Sequence, residues 1–316
     1  FYILFFLFCS FVMGSAYADE VEGDVSISTD NNNRQDFTEN DASLTITDSA
    51  TLTRSGQFAI DIKKFNNATV TVNPGSTVTS TSHNTIQGRE QSGLTVTNSG
   101  TINAGGSKAI NLLDAQNSTI TNNAGGIIKS DTNTITVTET SGKTANNVTI
   151  NNSGEIYAYS TDPAADSAAI KSEADTDNIT IINNSGGYIH SNNGNSSVQQ
   201  GSTVFISSLS NATLTNSGTI ENKAGTDAYV LGVAGIGVTV TLKDKGKVIG
   251  KIKVTGSGHT IKLQHGAGQG YFYETEGDGT YDLEDLDGNP VVKGSAGSIG
   301  QAGNEMLDET LSYKSL

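Results

Sequence analysis

Four histidines, three arginines and one acidic run are the residues of this chain best suited to catalysis or metal binding. His83, His190, His259 and His265 stand far apart, each in a polar or repetitive context. No His-Glu-x-x-His pair is present to hold zinc, so zincin chemistry is excluded. No Gly-Asp-Ser-Gly surrounds a serine, so a serine nucleophile of that kind is not indicated. The four histidines therefore read as surface or corner residues. The acidic run spans Asp278 to Asp287. If Gly288 were the central glycine of a calcium loop, Leu283 and Gly294 would take the first and last ligand positions, and neither has the oxygens required. The Gly-Gly-x-Gly-x-Asp calcium repeat is also absent, and the run reads as a solvated acidic hairpin. The expectation is no catalytic residue, no cofactor site and no metal site.

Cys9 is the only cysteine and lies in an apolar run from Phe1 to Met13. Ala16-Tyr17-Ala18 follows, a small-x-small pattern suited to signal peptidase, then Asp19 and Glu20. Residues 1–18 thus read as a signal peptide, with Asp19 as the mature N-terminus. The exported chain would carry no thiol, which excludes disulfides, cysteine-based zinc sites and a cysteine nucleophile. The net charge of −15 disfavours nucleic acid, which binds clustered Lys and Arg. Trp is absent, and half of the phenylalanines fall in the first eleven positions. Such polarity would suit disorder, but Val and Ile recur regularly among threonines, which indicates strands.

One pattern returns along the chain. Leu94-Thr-Val-Thr-Asn-Ser-Gly-Thr-Ile102 reappears as Val148-Thr-Ile-Asn-Asn-Ser-Gly-Glu-Ile156 and Leu214-Thr-Asn-Ser-Gly-Thr-Ile220. Looser copies begin at Leu44, Val70, Ile120, Ile181 and Val240. An anchor position runs Ala50, Gly75, Gly100, Gly125, Gly154, Gly186, Gly218, Gly246, with Asp or Asn two residues before each. Asn and Gly tolerate left-handed backbone angles, so Asn-Ser-Gly marks a tight corner between strands. A coil of this size cannot bury its apolar face alone, whereas stacked coils form a continuous core. The expected fold is all-β, a right-handed parallel β-helix of eight or nine coils with two or three strands each, about 40 Å long at about 4.8 Å per coil. Asparagines at the corner would form a side-chain ladder. A second apolar face would comprise Ala59 to Ile62, Ala109 to Leu112, Ile135 to Val137, Ala169-Ile170 and Val204 to Ile206. Longer steps after Gly125 place polar loops at Tyr159 to Ser167 and Ser191 to Ser202, where binding usually concentrates. Asn-x-Ser/Thr triplets, as at Asn67 and Asn117, are what an Asn- and Thr-rich chain produces by chance.

A signal peptide, Asn-Ser-Gly-Thr-Ile repeats and an acidic passenger without cysteine resemble the passenger domain of a bacterial autotransporter of the type V secretion kind. The resemblance covers nearly the whole chain, although similar repeats occur in two-partner-secretion adhesins, phage tailspikes and pectin-degrading enzymes. It implies 19–42 as an N-terminal cap or leader, 43–263 as β-helix repeats and 264–293 as a C-terminal cap. Residues 294–316 would be a linker and the start of a helix leading to an outer-membrane β-barrel that this chain does not contain. The function implied is a structural or adhesive rod, exported to the cell surface, outer membrane or extracellular space, with an extracellular or cell-surface ligand and no catalytic site. The alternative is a secreted carbohydrate-active β-helix enzyme, a polysaccharide lyase or hydrolase. Against it, Arg34, Arg54 and Arg89 are the only arginines, none falls in a concentrated aspartate cluster, and no Trp is available to stack sugars. A groove lined by three or more carboxylates with a nearby Arg or Lys would favour it.

Overall fold

A computed structural model describes residues 18–140, 142–162, 166–173, 176–192, 199–264 and 274–290. The signal-peptide segment up to Tyr17, His265, the Tyr271 to Tyr273 cluster and the linker helix after Gly294 lie outside the described residues. The chain winds through three parallel sheets in the fixed order A, B, C. Sheet A holds eleven strands from Ala18–Val21 to Glu274–Glu276, and sheet B eleven from Asp24–Ile27 to Tyr281–Asp285. Sheet C holds eight, from Thr51–Arg54 to Lys247–Ile249. This is a parallel β-helix.

Alternation in each short strand explains the shape. Strands such as Thr69–Val72 and Thr101–Ala104 bury every second residue and leave the others at the surface. In-register pairing then places like residues above one another. Val96 stacks between Val70 and Ile120, and Ile156 between Ile128 and Ile189. Val96, Ile102, Ile150, Ile156, Leu214 and Ile220 are all in the single core. A fully buried residue of this size contributes about 1.5–3 kcal/mol, and here the contribution recurs in every rung. The second apolar face expected from the sequence is sheet A, where Ile110, Ile135 and Ile170 pair in succession.

Among the described residues the solenoid has eleven rungs, more than the repeats suggested, which span about 48 Å at the usual strand spacing. The reason is local. The Asn-Ser-Gly motif forms the corner between sheets B and C, and among the described residues sheet C has strands in eight rungs, with the first rung joined to it only by the Asn31–Leu52 bridge. The ladders therefore run past 43–263 at both ends: Ala18–Val21 pairs with Arg34–Phe37, and His259–Leu263 with Tyr281–Asp285.

The anchor file also differs from the expectation. Carbonyl oxygens of Ala50, Ser76, Gly100, Gly126, Gly154, Gly187 and Gly218 accept bonds from the residue entering sheet C one rung later, as in Tyr188 N–H to Gly154 O at 2.9 Å. Gly75, Gly125 and Gly186 are one residue too early. They occupy wider corners, with φ of 81°, 82° and 84°. The glycines of the true file are needed for close approach: a Cβ on Gly154 would strike the carbonyls of Gly126 and Asn123.

The asparagine ladder shifts with it. Asn98, Asn122, Asn152, Asn183 and Asn216 stack on the inner side, each amide donating to the next carbonyl oxygen at 2.8–2.9 Å. Asn123 and Asn184, which share the sequence motif, instead turn outward to Ser99 and Ser153. Val72 lies below Asn98 and Leu242 above Asn216, so five rungs carry the ladder.

A second corner, between sheets A and B, was missed. Asp41, Asn67, Gly93, Asn117, Asn147, Asn178, Asn211, Gly237 and Gly258 all have φ between 49° and 79°. Asn147 donates to Asn117 at 2.9 Å and Asn178 to Asn147 at 3.2 Å. The corner asparagine, one inward residue and the first outward threonine of sheet B give Asn-x-Thr. The triplets at Asn67 and Asn117 therefore mark a structural corner rather than chance.

Candidate functional site

The outer face of sheet C carries the densest chemistry. Glu155 and Tyr157 project from strand Glu155–Ala158, Tyr188 and His190 from Tyr188–Ser191, and Thr219 and Glu221 from Thr219–Asn222. Register stacks Lys129, Tyr157, His190 and Glu221 in one file and Glu155, Tyr188 and Thr219 in the other. His190 is sandwiched: Tyr157 stacks on it at 4.6 Å and 10°, and Tyr188 flanks it at 4.4 Å. Although on the outer face, it is only 2% exposed. Its Nε2 lies 2.8 Å from Glu155 and 3.5 Å from Lys223 Nζ, and its buried Nδ1 has no hydrogen-bond partner. A buried polar atom left in this way is a place for a water or a ligand group.

Electrostatics follow from the packing. Burial pushes the His190 imidazole below its ordinary value, and its hydrogen bond to the Glu155 carboxylate opposes this only in part. The Tyr188 hydroxyl donates to Glu221, and burial together with that carboxylate raises its pKa strongly. Tyr188 is thus a fixed neutral donor. Lys129 lies 5.9 Å from the Tyr157 ring centre and Lys223 5.3 Å from that of Tyr188. Beside Tyr188, a groove of about 260 Å³ is lined by Gly186, Gly187, Gly218, Thr219 and Glu221. The glycines that the corner requires keep its floor free of side chains. The patch offers aromatic surface, hydroxyl donors and carboxylate acceptors on a rigid frame.

Two other charged groups are structural in geometry. Lys143 bonds Glu90 at 2.8 Å and lies 3.8 Å from Asp114, on a polar hollow of about 380 Å³. Asp114 is also bound by the backbone N–H and hydroxyl of Thr140. On sheet A, Glu20, Asp36 and Asp61 fall in one file, with Arg34 bonded to Asp36 and Arg89 to Asp61 at 3.0 Å. Arg34 and Arg89 thus do sit among carboxylates, because pairing brings together residues distant in sequence. Burial raises the Asp61 pKa, and Arg89 partly offsets it.

The histidine expectation holds for His83, exposed and edge-on to Phe58, and fails for His190 and His259. His259 is 1% exposed. Its Nδ1 accepts the Val238 N–H at 3.2 Å and its Nε2 faces the Thr255 carbonyl at 3.0 Å, which fixes one neutral tautomer. The acidic run is not a free hairpin: Tyr281–Asp285 is the last rung of sheet B, and Asp285 closes the following turn by accepting from Asp287 and Asn289. Among the described residues no group of three or more His, Cys, Asp or Glu is placed to hold a metal. The polar stretches after Tyr159 and Ser191 connect sheet C to sheet A; in their described parts Thr161, Asp162 and Gln200 are exposed, Ser167 and Ser202 are buried, and the Tyr159 hydroxyl bonds Ala104 O. The tyrosine patch was missed in the sequence. Its available signal was two tyrosines, Tyr157 and Tyr188, at outward strand positions in an aromatic-poor chain.

No protein-family model, curated protein or solved structure matches this chain. No helix among the described residues is long and apolar enough to cross a membrane, which leaves strand-built spans untouched.

Proposed function

We propose that the chain is an adhesive rod, exported and displayed at a bacterial cell surface by an outer-membrane barrel, which contacts its ligand through the outer face of sheet C. The observation that carries the adhesive reading is the Tyr157, Tyr188 and His190 patch with Glu155 and Glu221 beside an open groove. Tyrosine supplies rigid contact area and a polar tip at low entropic cost. Support for export comes from the apolar run before Ala16-Tyr17-Ala18 and from a long β-structure with no cysteine after Cys9. The ligand class that suits the patch is a neutral oligosaccharide, given hydroxyl-binding carboxylates and an overall charge of −15 that repels anions. The purified chain, applied to an array of neutral and anionic oligosaccharides, should bind a neutral subset, and Tyr157→Ala/Tyr188→Ala should abolish that binding. Unaltered binding by the double variant would sink the site. In the source cell, sequencing of the mature chain should begin at Asp19, and protease added to intact cells should remove it; an intact Phe1 segment in a protected protein would refute export.

The enzyme reading keeps one favourable observation, the Glu20, Asp36 and Asp61 file with Arg34 and Arg89. Both guanidinium groups are held by the chain's own carboxylates, which favours a structural network. Release of unsaturated or reducing ends from polyuronates, lost in Arg89→Ala, would reverse that preference.

A further inference from the structure

The outer face of sheet B differs from the outer faces of the other two sheets. From Thr69 to Thr260, each of eight successive rungs presents a threonine at the first outward position. The second outward file reads Thr71, Thr97, Thr121, then Asn151 and Ile182, then Thr215 and Thr241. No charged residue occurs in either file from Ser43 to Thr241, although 16% of the chain is charged. The equivalent faces of sheets A and C are interrupted, by Asp61, Arg89 and Lys171 on one and Lys129, Glu155 and Glu221 on the other. The only hydrogen bond between these threonine hydroxyls among the described residues is Thr213 to Thr180 at 3.4 Å. The rest face outward without protein partners.

We propose that this face binds ice. Pairing along sheet B has no register shift, whereas sheet A has one at Tyr229 and Leu231. The hydroxyls therefore repeat at about 4.8 Å along the rod and at about 6.6 Å across the two files, the advance of two strand residues. Such a two-dimensional array suits a periodic surface of oxygens better than a single soluble molecule. Threonine is stiff at χ1, so its methyl and hydroxyl are held in place before contact. Water over an uncharged array is not bound tightly by ions and is free to adopt the order of the adjoining lattice. Charge complementarity points the same way: the charged residues of these two files, Asp24, Lys262, Asp282 and Glu284, lie at the ends of the sheet, so the stretch from Ser43 to Thr241 can approach a neutral crystal. Each contact is weak, and simultaneous engagement of many makes the attachment strong. The inference is independent of the tyrosine patch.

The test is ice-recrystallisation inhibition and crystal shaping by the purified full chain. The wild type should slow recrystallisation and facet growing crystals. Thr121→Lys, at the centre of the face, should raise the concentration needed at least tenfold. Thr53→Lys, on sheet C, and Tyr157→Ala/Tyr188→Ala should match the wild type. If Thr121→Lys fails to fold by circular dichroism, Thr97→Val/Thr121→Val keeps the shape and should show the same direction of loss. The proposal is overturned if the folded wild type has no effect on ice, or if Thr121→Lys equals it. It is also overturned if the face instead closes a dimer in solution that Thr121→Lys separates, or retains the chain on crystalline cellulose with no ice activity.

Discussion

Asn152 is bonded on both sides within its file, accepting from Asn122 and donating to Asn183 at 2.9 Å each. It is fully buried, and its amide also reaches the Gly154 carbonyl at 3.1 Å. Removing it leaves the Asn183 Oδ1 without its donor, whereas the Asn122 amide keeps the carbonyls of Gly126 and Glu155. A buried orphan costs about 1–3 kcal/mol, so Asn152→Ala should lower stability by that amount in urea titration. Asn147→Ala, at the exposed corner, should cost less, chiefly the strain of φ at 53° on a residue without a local polar partner. The lower end of the ladder shows what such a loss looks like: Asn98 Oδ1 has no partner, because Val72 lies beneath it. The two buried imidazoles make a separate prediction. Burial lowers the folded-state pKa of both His190 and His259 below the ordinary 6.5. Below that value the unfolded chain binds more protons than the folded one, so stability is full above it. It falls as the pH drops through the window between the ordinary and the lowered values, and then levels off. The thermal midpoint should drop between about pH 7.5 and about pH 5, across the imidazole range, and His259→Gln should blunt the drop.

Strands of four residues would be unstable alone, and their corners decide whether they stack. Gly154→Ala adds a methyl that meets the backbone carbonyls of Gly126 and Asn123, neither of which can yield without breaking the ladder. Gly142→Ala meets nothing within 4 Å and carries only the strain of its φ at 84°. Hydrogen exchange should show the first variant losing protection in the rungs on both sides and the second losing none there. Within the strands, Ile150→Asp buries an unpaired charge and should cost about 3–5 kcal/mol, with lost protection in the neighbouring strands Thr119–Asn122 and Thr180–Asn183 that stack on it. An unchanged melting transition would contradict the inward placement.

Each rung touches only its neighbours, so the rod should tolerate loss of one complete turn. Register pairs Thr95 with Thr119, so deleting residues 95 to 118 joins Leu94 to Thr119 in the position Thr95 held. The shortened chain should keep its β-rich circular dichroism and protease resistance. Deleting 95 to 106 instead joins a sheet B entry to a sheet A entry, breaks the A, B, C order and should give a protease-sensitive product. The sequence determined the solenoid itself, since period-2 apolar strands, Asn-Ser-Gly corners and a return near 25 residues leave few other ways to bury Val and Ile. It also determined the six core residues. It could not set the register at wide corners, because a motif counts residues and stacking counts backbone carbonyls: Gly125 matches the pattern while Gly126 occupies the site. It could not show all the described rungs, because the terminal ones do not carry the Asn-Ser-Gly motif. Only the tertiary structure placed Tyr157, Tyr188 and His190 together, and Asp36 beside Asp61. Those pairings depend on the length of each coil, and that length varies with every polar insertion between the strands.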